Sequence, residues 1–176
     1  MDILADSTST AIIAAPIEKI NLSQWLFTLK DIEYQACSPA HIAAGSTVSN
    51  EGKRMSINVE QIADNLLIQH YIEDISEKEH CRVNSISDSF SPLGQTKLGI
   101  TWELKIKKLT GNSTELANRV IVSSTEDFIS LLKKVNITDL EPVKDNMAQN
   151  AGAHNKEETP LFAKDIETKA LSGIWL

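Results

Sequence analysis

The chain has 176 residues, 41% hydrophobic and 23% charged, with 24 acidic against 17 basic residues and a formal charge of -7. That length is enough for a real core, and residues 1–176 are expected to form one domain. The acidic balance argues against nucleic acid and anionic membrane surfaces as partners, since both call for clustered Lys and Arg.

In chain order, Ser7 to Ala15 is small and β-tolerant and reads as a first strand. Pro16 then opens a helix, where its missing N–H costs nothing. Ile17, Ile20 and Leu22 to Leu29 continue it at mixed helical spacing around Trp25 and Leu26, and Asp31 to Pro39 reads as a second short helix. Strands follow at His41 to Ser49 and Arg54 to Ile62, with Asn50-Glu51-Gly52 as the turn between them. After a turn at Asp64-Asn65, the residues Leu66, Ile68, His70 and Ile72 share one strand face. Cys81 to Phe90 alternates less cleanly and ends at Ser91-Pro92-Leu93-Gly94. Lys97 to Leu109 is the clearest strand, with Leu98, Ile100, Trp102, Leu104 and Ile106 on one face and mostly charged residues on the other. Within it, Lys105, Lys107 and Lys108 read as a solvated strand face. Thr110-Gly111-Asn112 turns the chain into a last strand, Glu115 to Ser123.

Thr125 starts a helix through Val135, and a long amphipathic helix is predicted from Thr138 to Leu171. Thr138 with Glu141 fits a capping box, and Pro142 suits a first turn. Its apolar stripe runs through Leu140, Val143, Met147, Ala151, Leu161, Phe162 and Ile166. Pro160 interrupts the pattern and is expected to kink or restart the helix. Gly173 to Leu176 is a short tail that Trp175 can dock. A long terminal helix after a run of strands must bury its stripe against them, so the sheet has to curl around it. The expected class is therefore α+β: a curved antiparallel sheet of about six to seven strands wrapped around a long C-terminal helix, with two short helices after the first strand.

The two cysteines, Cys37 and Cys81, read as free thiols in a reducing compartment. The first residues lack a basic n-region and carry Asp2 and Asp6, which does not fit a signal peptide. No apolar run approaches the roughly 18 residues of a membrane span. A cytoplasmic protein, monomer or homodimer, is the expectation.

Three segments resemble one known group. Ala15-Pro16-Ile17-Glu18-Lys19-Ile20 is similar to the strand-to-helix entry of the START-like, or SRPBCC, helix-grip superfamily. Tyr34, Cys37, Ser38, Pro39 and His41 look like the corner that follows in some bacterial members. His154 to Phe162 is similar to the C-terminal helix of a bacterial branch that resembles polyketide cyclase/dehydrase-like proteins. The superfamily includes lipid carriers and aromatase/cyclases. The resemblance implies an apolar small-molecule ligand (a lipid, isoprenoid or polyketide) in a cavity between sheet and helix. Fold alone does not separate carrier from enzyme.

The chemistry-bearing residues are sparse. His41, His70, His80 and His154 show no metal-binding spacing, and no phosphate loop or nucleophile elbow is present, so no metal and no cofactor are expected. Cys37 near His41 has no third group to make it a nucleophile and reads as a structural thiol. Polar groups on faces read as inward are the candidates: His70 with Leu66, Ile68 and Ile72; Trp102 with Leu98 and Ile100; Asn118 with Leu116, Val120 and Val122; and His154 with Glu158 on the terminal helix. His70 and His154 can orient a ligand or serve as general acid and base, and Arg119 can polarise a carbonyl if it points inward. Each histidine reads more readily as a core residue satisfied by a neighbouring side chain or carbonyl. Trp102 can stack on a flat ligand and equally reads as core, Met147 completes the lining, and Tyr34 and Trp25 are placed near the mouth, as ligand contacts or core.

Overall fold

The computed structural model describes residues 2–175, which leaves the final residue of the predicted tail, Leu176, outside the described residues. Strand β1 (Ile3–Ile13) leads through a 3-10 turn (Ile17–Lys19) into helices α1 (Leu22–Thr28) and α2 (Asp31–Gln35). Six strands follow: β2 (His41–Val48), β3 (Arg54–Ile62), β4 (Asn65–Ser76), β5 (His80–Ser91), β6 (Gly94–Thr110) and β7 (Ser113–Ser124). Helices α3 (Glu126–Lys134) and α4 (Glu141–Ser172) complete the chain. The strands form one antiparallel sheet in the order β1-β7-β6-β5-β4-β3-β2. It is curved, and α4 lies on its concave side, chiefly along β1. This is the α+β architecture expected from the sequence.

Local chemistry explains the element ends. Asn21 caps α1 by accepting from the Gln24 amide, and Thr125 caps α3 by accepting from the Phe128 amide. α2 is shorter than predicted and stops at Gln35. α4 starts at Glu141, not Thr138, and its N-cap, Leu140, makes no side-chain bond. The predicted capping box does not form, because Asp139 instead accepts from the Glu141 amide at 3.1 Å. At the other end Gly173 terminates α4 with φ of 74°, a left-handed conformation that suits a residue without Cβ. Pro160 does not restart the helix, which is continuous through it. Trp175 packs against the core.

The sheet's inner face is only partly the one its apolar residues suggest. On β6, Leu98, Ile100, Trp102, Leu104 and Ile106 are all buried, as their alternation predicts. On β4 the parity is reversed: Leu67, Gln69 and Tyr71 are buried, and Leu66, Ile68, His70 and Ile72 face the other way. The β3–β4 hairpin sets this register, pairing Ile62 with Asn65 and Val59 with Ile68. Residues paired across antiparallel strands share a face, so inward Glu60 and Asn58 bring Leu67 and Gln69 inward with them. A one-residue slip would bury both apolar sets in exchange, but it would have to expose the polar groups that α4 and α2 satisfy.

An aromatic cluster joins sheet, α1 and α4. Trp25 meets Trp102 edge-on at 6.3 Å and Phe162 at 5.1 Å between ring centroids, and Trp102 lies 5.6 Å from Phe162. Trp25 is therefore core, not a mouth residue, and its indole N–H donates to Asp165 at 2.7 Å; Tyr34 is likewise buried, not at a mouth. Leu161, placed on the apolar stripe from sequence, is 40% exposed. Its neighbours Phe162, Ala163 and Ile166 carry the contact instead.

Candidate functional site: a cavity with a buried histidine–glutamate end

Between α4 and the sheet lies an inner cavity of about 50 Å³. Its walls are mostly apolar, from Ile62, Leu67, Tyr71, Ile100, Trp102, Val120, Val122, Ala151 and Phe162. Its polar groups gather at one end: Tyr34, Asn58, Glu60, Gln69, His154 and Glu158. A second space of about 60 Å³ shares Ile62, Leu67, Ile100, Val122 and Ala151 with the first and adds Met147. It shares Met147 and Asn65 in turn with an open groove of about 620 Å³ between α3, the start of α4 and the β5–β6 turn. A continuous row of lining residues thus leads from the surface to the buried polar end. One water needs about 10–15 Å³, so the two inner spaces as they stand fit a few small molecules and not a polycyclic one.

Four side chains converge at the polar end. His41 begins β2, Glu60 lies on β3, and His154 and Glu158 sit one turn apart on α4. His41 Nε2 is 3.1 Å from Glu158 Oε2 and 3.7 Å from Glu60 Oε2. His154 Nε2 is 3.2 Å from each of the same two oxygens. Despite that proximity, His154 Nε2 is aligned for a hydrogen bond to neither and has no hydrogen-bond partner among the described residues. Burial works to raise the Glu158 pKa, but the nearby His154 and His41 imidazoles overcome it and hold the carboxyl below its usual range. Burial likewise disfavours protonated His154, yet Glu158 and Glu60 outweigh it and raise this imidazole to about 10.

The surroundings of the four are ordered. His41 Nδ1–H donates to the Tyr34 carbonyl at 2.7 Å, and the Tyr34 ring stacks on the imidazole at 3.8 Å. The Tyr34 hydroxyl donates to Glu60 at 3.1 Å, and Gln69 donates to the other Glu60 oxygen. Burial, then the charges of Glu60 and Glu158, push the Tyr34 and Tyr71 phenols well above their usual value, so both stay protonated donors. Asn118 receives the Trp102 indole N–H at 2.8 Å and donates to Glu158 and Thr159, both at 3.0 Å. Asn155 donates back to the Asn118 carbonyl at 3.2 Å, and the Thr159 hydroxyl donates to the Asn155 carbonyl. These bonds stitch α4 to β7 through side chains that are fully buried.

The structure places the sequence candidates unequally. Tyr34, Trp102, His154 and Glu158 line the inner cavity, and Met147 lines its extension. Asn118 sits behind the wall, holding Trp102 and Glu158 in place. His70 is on the outer face of β4, away from the cavity, because of the reversed parity. Arg119 is also on the outer face and is held by a two-pronged pair with Asp6 at 2.8 and 2.6 Å. Neither His70 nor Arg119 reaches the cavity. Cys37 and Cys81 are buried free thiols, each pushed up to about 12, first of all by burial, which disfavours thiolate chemistry. Reading the sequence alone missed His41 and Glu60 as partners of His154, and missed Asn58, Gln69, Asn155 and Thr159 altogether. Parity on β3 points the other way: Met55, Ile57 and Val59 alternate with Ser56, Asn58 and Glu60, which favours the apolar set as the inward face, whereas the polar set is the buried one.

Among the described residues, no helix is long and apolar enough to cross a membrane. No protein-family model and no curated protein matches the chain. Solved structures do. The di-domain aromatase/cyclase StfQ from the steffimycin biosynthetic pathway aligns at a TM-score of 0.65 and 11% identity, over 94% of this chain and 52% of its own, so the chain spans about half of that protein. The ZhuI aromatase/cyclase from Streptomyces sp. R1128 aligns at 0.60 and 10% identity, over 93% of this chain and 94% of its own. A Thermus thermophilus protein aligns at 0.52 and 15% identity, over 95% and 97%. At these identities the likeness concerns the backbone. With the curved seven-stranded sheet and its terminal helix, it gives this chain the same fold as these two aromatase/cyclases, a curved antiparallel sheet closed on a long C-terminal helix.

Proposed function

We propose that the chain, acting as one helix-grip unit, binds an apolar small molecule, of the lipid, isoprenoid or polyketide kind, between α4 and the sheet. The observation that carries this reading is the row of apolar spaces running from the open groove at Met147 to the polar end at Glu158. Apolar walls supply affinity, and a few convergent polar groups fix orientation. The inner spaces are small, so binding requires the N-terminal half of α4 to move outward. That half is only partly buried at Val143, Met147 and Ala151.

An environment-sensitive apolar fluorophore tests this reading. It should bind one per chain and be displaced by the molecule that co-purifies from the native host, identified by native mass spectrometry. Ala151 lines both inner spaces, so Ala151→Phe should fill them and abolish fluorophore binding while leaving the fold intact by circular dichroism. Undiminished binding by that variant would count against a ligand in this position.

A second reading is an aromatase/cyclase-type enzyme, supported by His154 and Glu158 at the polar end and by the aromatase/cyclases among the structural neighbours. Turnover of a cyclisable poly-β-ketone that disappears in Glu158→Gln, with fluorophore binding retained, would favour it over simple carriage.

A further inference from the structure

We propose that the polar end of the cavity is a binding site for one divalent transition-metal ion, zinc foremost, held by Nε2 of His41 and His154 and a carboxylate oxygen of Glu60, with the Glu158 carboxylate beside both imidazoles. This goes beyond the ligand reading and does not depend on it.

The first support is geometry. Four nitrogen–oxygen separations around the cluster are 3.1, 3.7, 3.2 and 3.2 Å. Zinc bound tetrahedrally at about 2.0–2.1 Å from each ligand places its donor atoms about 3.3 Å apart. The donor atoms of His41, Glu60 and His154 all lie within 4.8 Å of one another.

The second support is the direction of the lone pairs. His41 gives its Nδ1–H to a carbonyl, and its Nε2 faces two carboxylates, 3.1 Å from Glu158 and 3.7 Å from Glu60. His154 Nε2 is buried and has no hydrogen-bond partner among the described residues, on a side chain only 10% exposed. The two Nε2 atoms and the carboxylates converge on one small space, which a single metal cation can occupy. Filling the space with protons alone leaves His154 misaligned with both glutamates.

The third support is charge. The Glu60 and Glu158 side chains are 7% and 6% exposed, and two buried carboxylates require two compensating positive charges. One dication with two neutral imidazoles supplies them without crowding two imidazolium rings together. Histidine and carboxylate donors without thiolate suit zinc, and after it cobalt, iron or manganese.

The fourth support lies behind the ligands. A metal-binding histidine commonly gives its other N–H to a carbonyl, and ligating carboxylates are themselves hydrogen-bonded. Here His41 donates to the Tyr34 carbonyl, the Tyr34 hydroxyl and Gln69 hold Glu60, and Asn118 holds Glu158. Three protein ligands, His41, Glu60 and His154, lie mutually close, with Glu158 against both imidazoles. The effect of the bound ion is to clamp α4 onto β2 and β3.

The test uses the whole chain, stripped with a chelator and then titrated with zinc. We expect one zinc per chain by elemental analysis, a melting temperature that rises with zinc and falls on chelation, and a visible ligand-field absorption from a four-coordinate site when cobalt replaces zinc. His154→Gln should abolish stoichiometric binding. Tyr34→Phe keeps the stacked ring and changes no ligand, and it should weaken zinc about 10–100-fold. Absence of stoichiometric zinc in the wild-type chain, or unchanged affinity in both variants, overturns the metal site and leaves the cluster as an ion-pair network. Fluorophore binding to the metal-free chain keeps the two proposals apart, since either can fail while the other stands.

Discussion

The two halves of α4 behave as different structures. From Asn155 onward the helix is anchored: Asn155, Glu158, Thr159, Phe162, Ala163, Ile166 and Ala170 are all buried, against the aromatic cluster and β7. Before it, Val143, Met147 and Ala151 are only half-buried, and beneath them lie the second inner space and the groove. One continuous helix is thus at once a fixed wall and a cover. Anchoring comes from large rings and satisfied polar bonds, covering from small and flexible residues.

The most demanding test of that contrast is a pair of truncations. Phe162→Ala should cost about 3–5 kcal/mol in urea unfolding, as buried aromatics do, whereas Met147→Ala should cost about 1 kcal/mol or less because its site is half-open. Equal losses would erase the distinction. Next comes the stitch between α4 and β7. Asn118→Ala leaves the Trp102 indole N–H and Glu158 without their buried partner and should cost about 2–3 kcal/mol. Should its melting match the wild type, the stitch is not what fixes the anchored half.

A smaller effect runs the other way. Gly152 lies in the covering half, and a Cβ there would meet only the Ser7 hydroxyl at 3.8 Å, an ordinary contact. Gly152→Ala should therefore stabilise by about 0.5–1 kcal/mol and slow amide exchange from Val143 to Ala151. No slowing would mean that the covering half is not limited by helix stability. The weakest effect concerns β1, on which both halves rest. The Arg119 hydrogen bond to Asp6 holds that carboxyl below its usual 3.8. The unfolded chain binds this proton first, so the pair's stabilisation is full above that value and is lost as pH falls through the lowered folded one. Both partners are more than a third exposed, so solvent screens the gain. Asp6→Asn should be slightly less stable than wild type at neutral pH, with the gap closing under acid. A gap that widens there would show the sign to be wrong.

Much of the fold is legible in the sequence because its periodicities do not compete. β6 has apolar residues on one face and charges on the other, so only one face can be buried. The helix-grip layout follows from a run of such strands before a long helix. The site is far less legible. On β4, Leu66, Leu67 and Ile68 put apolar groups on both faces, and nothing in that stretch alone selects Leu67 and Gln69 over Ile68 and His70. Pairing with β3 selects them, and that choice depends on Glu60 being wanted inside. The His41–Glu158 contact joins positions 117 apart, so no spacing rule reports it. Asn155 and Thr159 look like solvated helix residues until β7 supplies Asn118 as their partner.

Pro160 sits on the exposed side of α4, one residue past the stitch. Lacking an amide proton, it can offer nothing to the Lys156 carbonyl four residues earlier, which is left for water. A bend of α4 at this turn breaks one hydrogen bond fewer than a bend elsewhere along it. This mechanical weak point, written into the covalent chain, lies inside the anchored half, one turn beyond its first buried residue Asn155, so the buried stitch at Asn155, Glu158 and Thr159 is what holds the helix on the covering side of the joint.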